Sequence, residues 1–210
     1  MTTNPPRFVL PGTWGRINLA SEGATQKSIR KVLEQVTRRR DDMADTRQQL
    51  RNRMQRAADV AREAGATDFY VAFSLTPKVP LPAWVSVFTP EIDSVDFGAL
   101  GLGDLASFLD AGTKSWGPEG AEVVTGEVGA DSERLHAVRH SWRRVVDVVE
   151  SEVEQTFEFV EADYWLAATN PNRIALLTFS TALAEYEEEM LSLFDAVVGT
   201  IRWPAPVPVA

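Results

Sequence analysis

Four apolar runs crowd the second half of the chain, and the short intervals between them leave little choice of topology. Glu122–Val128, Leu135–Val149, Val153–Ala168 and Ile174–Phe179 read as strands. Asn170-Pro171-Asn172-Arg173 supplies a turn before the last of them. A parallel crossover needs a dozen or more residues, and none of these intervals reaches that. The runs are therefore expected to pair antiparallel. Phe157, Phe159, Tyr164 and Trp165 give the third run the aromatic density of a pleated sheet, and Ile174–Phe179 is the most apolar run in the chain.

The first half alternates between the two periods. Phe8-Val9-Leu10 and Trp14–Leu19 read as two short strands around the Pro11-Gly12 turn signal. From Thr25 to Ala64 the spacing is helical. Ile29, Val32, Leu33 and Val36 share one face, then Leu50, Met54, Ala57, Ala58 and Ala61 form a narrow, alanine-rich stripe. One bent helix or two both fit this pattern. Gly65 is placed to end the segment in a left-handed cap. After it, Phe69–Leu75 and Trp84–Phe88 form a hairpin across a loop carrying Pro77, Pro80 and Pro82. Val95–Leu109 reads as a short helix weakened by Gly98, Gly101 and Gly103. Leu183–Arg202 reads as a closing amphipathic helix, with its acidic residues crowded near the amino-terminal end that the helix dipole favours. The sum is an α+β protein: an antiparallel sheet of about six to seven strands covered by helices, without repeated βαβ units.

Composition narrows the function classes. The chain has 210 residues and no cysteine, which excludes disulfides, thiolate metal sites and thiol nucleophiles. No run approaches the roughly 18 apolar residues of a membrane helix, and the start carries no signal-peptide pattern, so a cytoplasmic protein without membrane insertion is expected. A net charge of −9 argues against general nucleic-acid binding.

Asp163-Tyr164-Trp165-Leu166, Asn170-Pro171-Asn172, Ile174–Thr181 and Leu193–Trp203 together resemble the closing strand, turn, strand and helix of the PsbP-like fold family. Leu10-Pro11-Gly12-Thr13-Trp14 is also similar to the opening of actinobacterial proteins associated with that fold. The resemblance covers about the last 50 residues and a few at the start. It implies an α/β/α sandwich over residues 1–203 as a single domain, with a helical segment at 25–64 and a flexible proline-rich tail at 204–210. Family members include photosystem accessory subunits, a nuclear-transport factor that binds a small GTPase, mycobacterial lipoproteins and chaperones of secreted toxins. Their common theme is binding another protein without chemistry. This sequence lacks the signal peptide and cysteine of the lipoprotein branch, and its helical insert is unlike the compact members.

Chemistry-bearing motifs are sparse. No Walker-type, dinucleotide-binding or GxSxG pattern occurs. His136 and His140 lie in a run that reads as a strand, where four residues span about 13 Å, too far for one metal ion. Glu187-Glu188-Glu189 reads as a solvated helix face, while Glu127, Glu158 and Asp163 sit in strand contexts and merit inspection. No catalytic residue, cofactor or metal is expected.

Charge is distributed unevenly. Residues 26–64 hold 11 basic and 6 acidic side chains, while the rest of the chain carries a net −14. Arg38, Arg39, Arg40, Arg47 and Arg51 are either solvated or paired within the molecule, or they dock an acidic protein surface. Trp116 lies in a loop, where it either anchors the loop or contacts a partner. The expected function is a non-enzymatic adaptor or chaperone linked to a secretion system. Its partner is another protein, with a secreted effector or secretion component as a candidate. The alternative is a small-ligand binder or enzyme with a pocket between sheet and helices, and a self-associating structural protein is a third. Oligomeric state is left open.

Overall fold

The computed structural model describes residues 6–37, 44–90, 107, 111, 118, 121–129, 135–150, 153–169 and 172–203. Pro11–Phe88 form one unit; Met1–Leu10 with Thr89–Ala210 form a second. Among the described residues there are eight strands and three α-helices in an α+β arrangement, and every pairing within each unit is antiparallel.

In the first unit, β1 (Thr13–Ile17) and β4 (Ala83–Phe88) flank β2 (Asp68–Thr76), with the two-residue β3 (Val79–Pro80) beside the end of β2. The helical segment divides into α1 (Glu22–Thr37) and α2 (Ala44–Glu63). Ser21 caps α1, its hydroxyl accepting from Ala24 N–H at 3.2 Å. The expected stripes meet in one core: Ile29, Val32 and Leu33 from α1, Met54, Ala58 and Ala61 from α2, Ile17 from β1 and Phe69 from β2. Arg16 binds the buried carboxylate of Asp68 across the β1–β2 pair, with Nε 2.6 Å from Oδ1.

Two glycines set this geometry. Gly65 has φ of +87°, and Ala66 N–H donates to Ala61 while Gly65 N–H donates to Arg62. Those two bonds are the Schellman cap that turns α2 into β2. Gly15 lets α1 approach β1: a Cβ there would fall 2.5 and 2.7 Å from the two methyls of Val32.

In the second unit the strand order is β8 (Asn172–Thr181), β7 (Val153–Thr169), β6 (Leu135–Glu150) and β5 (Glu122–Val128). These elements match the expected runs to within two residues at nearly every boundary. The closing helix differs. A 3₁₀ turn at Ala184–Tyr186 leads into α3 (Glu187–Gly199), which stops short of Arg202. The chain leaves the helix because Ile201 and Trp203 are buried and Arg202 exchanges backbone hydrogen bonds of 2.8 Å with Arg7. That single bridge replaces the strand expected at Phe8–Leu10, where the flanking prolines remove ladder donors. Phe194 of α3 stacks on Phe179 of β8 at 4.6 Å between ring centroids, and Tyr164 of β7 meets Phe179 edge-on.

The expected helix at Val95–Leu109 lies outside the described residues apart from Ser107, as do the tail at 204–210 and the turn at Asn170-Pro171.

Replacing Gly15 by Ala overpacks a stiff valine and is expected to cost about 1–3 kcal/mol. Gly65→Ala meets only open space and pays for the left-handed backbone alone, about 1 kcal/mol. Urea denaturation of the two variants checks this ranking; equal or reversed costs contradict the packing of α1 on β1.

Candidate functional site

Of the arginines singled out in the sequence, Arg51 is placed: it is exposed on α2 and contacts Gln48 Oε1 at 3.4 Å. Arg38, Arg39, Arg40 and Trp116 lie outside the described residues, and Arg47 lies in α2 with its side chain outside the description.

The second unit carries the more organised polar arrangement, and strand register dictates it. Side chains directly opposite across an antiparallel pair share a face. Tyr164 pairs with Arg139 and Leu177, so these project toward α3. There Asp195 accepts from Tyr164 Oη at 2.7 Å and from Arg139 Nη1 at 2.6 Å, and Arg143 Nε donates to Glu187 at 2.6 Å. Burial and the Asp195 charge push the Tyr164 phenol far up, so it stays a neutral donor.

The opposite face collects the alternate residues. His140 pairs with Asp163, which pairs with Thr178; Trp142 pairs with Glu161, which pairs with Ser180. His140, Glu161 and Ser180 are each at most 6% exposed. Burial pushes the Glu161 carboxyl up, against the ion pair that Arg144 makes with it at 2.6 Å. Burial also pushes Asp163 up to about 6; a hydrogen bond from Thr178 opposes this, and the charge of Glu161 adds to it. Desolvation lowers the His140 imidazole. Asp163 Oδ1, Ser180 Oγ and His136 Nε2 are buried without a hydrogen-bond partner of good geometry. Such groups cost stability, and perturbed carboxyls of this kind cluster at functional sites.

Of the carboxylates expected to merit inspection, Asp163 belongs to this cluster, whereas Glu127 and Glu158 are exposed. Glu161 and Ser180 escaped the sequence reading because both faces of β7 and β8 carry apolar residues. The histidines do stand in a strand, and His140 is buried, facing Asp163 and lying 5.7 Å from the Trp142 ring. Among the described residues no group of three His, Asp or Glu is arranged to hold a metal ion.

The same ladder creates a projection. β6 and β7 pair from His136↔Ala167 to Glu150↔Val153. β5 accompanies β6 only through Ser141, and β8 accompanies β7 only from Val160. Beyond those points, among the described residues, 142–150 and 153–159 pair only with each other, as a two-stranded arm. One of its faces presents Trp142, Val146, Phe157 and Phe159, with Phe157 37% exposed. Arg144 lies 5.0 Å over the Phe159 ring while holding Glu161. The arm and the buried cluster thus share one sheet face.

The chain matches no protein-family model and no curated protein.

Because the folded pKa of Asp163 exceeds its ordinary value of 3.8, its contribution to stability is complete below that value and is lost as pH rises through about 6. Asp163→Asn is expected to be about 1–3 kcal/mol more stable than the parent at pH 8, with the gap closing toward pH 4. Chemical denaturation across that range checks it; a gap independent of pH contradicts the buried-carboxyl assignment.

Proposed function

We propose that this chain is a non-enzymatic protein-binding adaptor or chaperone of PsbP-like, sandwich architecture, acting in the cytoplasm, and that it engages its partner through the β6–β7 arm. The observation that carries the reading is the arm itself. A two-stranded ribbon gains little stability from its own pairing, yet among the described residues this one extends seven or more residues past its paired neighbours and carries Val145, 59% exposed, and Phe157. Aromatic side chains on a projecting element suit a binding hot spot.

Charge identifies the chemistry of the partner. The unit that bears the arm has 8 basic and 22 acidic residues, a net −14, against +5 for Pro11–Phe88. Glu158 lies on the arm, and Glu187, Glu188 and Glu189 open α3. The fitting partner is a protein segment with apolar side chains and an excess of lysine or arginine. The candidate is a secreted effector or a secretion component, since the PsbP-like family that the segments between Asp163 and Trp203 resemble includes chaperones of secreted toxins. Arg38, Arg39, Arg40, Arg47, Arg51 and Trp116 belong to the proposal as a second contact, for an acidic surface.

A second reading rests on the orphaned Asp163 Oδ1: a small-ligand site on the same sheet face, with Asp163 and Ser180 as its polar anchors. A ligand that raises the melting temperature of the parent but not of Asp163→Asn would favour it.

A photo-crosslinker at position 157 in native-host extract tests the first reading. The crosslinked protein, once purified, is titrated by calorimetry. The expected outcome is direct binding that weakens by about 30-fold in Phe157→Glu, a hot-spot loss of roughly 2 kcal/mol, and that falls with salt. Binding indifferent to Phe157→Glu would overturn it.

A further inference from the structure

β5 lies at the margin of the second unit's sheet, and among the described residues its strand pairing is with β6 alone. Exposed strand margins invite pairing with another chain, and proteins blunt them with proline, charged side chains, bulges or very short strands. Residues Glu122–Val128 have two charges, Glu122 and Glu127, but no proline and no bulge: seven residues pair with β6 in unbroken register from Glu122↔Ser141 to Val128↔Leu135. Val124 is 42% exposed. Gly126 weakens a strand interior, and nothing among the described residues accounts for it, since a Cβ there would meet nothing within 4 Å. Glycine inside a strand often marks close approach of another backbone.

The sequence of the strand is complementary to itself. Placed antiparallel to a second copy about Thr125, it sets Thr125 opposite Thr125, Val124 opposite Gly126, Val123 opposite Glu127 and Glu122 opposite Val128. The central pair is a favourable threonine–threonine contact. Each exposed Val124 covers the bare backbone of Gly126 in the other copy. Glu122 and Glu127 lie on opposite faces of the strand, so no carboxylate falls opposite a carboxylate. Glu122 is also drawn toward Arg139 of its own chain at 3.4 Å.

We propose that β5 is a homodimer interface, in which two copies join antiparallel along Glu122–Val128 around a two-fold axis at Thr125. This goes beyond partner binding by the arm and does not depend on it. The two-fold pairing brings the Val124 side chains of the two copies into diagonal relation, about 7–8 Å apart. Charges introduced there therefore feel their own symmetry mates.

Sedimentation equilibrium over a wide range of protein concentration is the test, with circular dichroism to confirm folding. The parent chain is expected to show a reversible monomer–dimer equilibrium. Val124→Glu keeps a favourable neighbour in Arg139, the residue it pairs with on β6, but opposes its mate; the dimer should weaken by about tenfold or more. Val124→Lys should weaken it as well, and mixing the two variants should restore a heterodimer. If Val124→Lys does not fold, Val124→Glu alone decides. A parent that stays monomeric at every concentration overturns the proposal, as does a dimer that Val124→Glu leaves intact.

Discussion

The pairing of β6 with β7 is the constraint from which the second unit's features descend. It runs unbroken from His136↔Ala167 to Glu150↔Val153. Register in such a ladder is decisive, because a slip of one residue would exchange its two faces. The observed register sends Tyr164 and Arg139 toward Asp195 and α3, and sends Glu161, Asp163 and His140 to the other side. It also fixes how far the arm projects past β5 and β8. The helix anchor, the buried carboxyl cluster and the proposed docking element are consequences of one alignment.

The buried cluster is costly. Asp163 is pushed up to about 6 and Glu161 is raised despite Arg144, so folding is opposed by desolvation of both. Arg144 links this cost to the arm: its guanidinium binds Glu161 and covers Phe159 at once.

Much of this was legible in the sequence, for reasons that can be named. β5 has the bounds of its apolar run, Glu122–Val128, and β6 and β7 follow their aromatic and β-branched runs to within a residue. Gly65 announced its own cap. The division of the 25–64 segment into α1 and α2 was not legible, because apolar spacing is compatible with a bend or a break across Arg38–Asp42. The two-unit organisation was not legible either, since its boundaries, Leu10/Pro11 and Phe88/Thr89, fall directly at the ends of apolar runs. The cluster around Asp163 needed the register of three strands at once. Alternation predicts two faces, but where both bear apolar residues it does not say which polar side chains are buried. The arginines at 38–40 and Trp116 stand outside the described residues and contribute no geometry.

Amide hydrogen exchange of the free chain and of its complex with the crosslinked, purified partner tests the central claim most directly. The account predicts that amides of the arm, within 142–150 and 153–159, exchange faster in the free chain than those of Val160–Leu166, where β8 completes the ladder, and become protected in the complex. Protection confined to other segments, with the arm's exchange unchanged on binding, would contradict it.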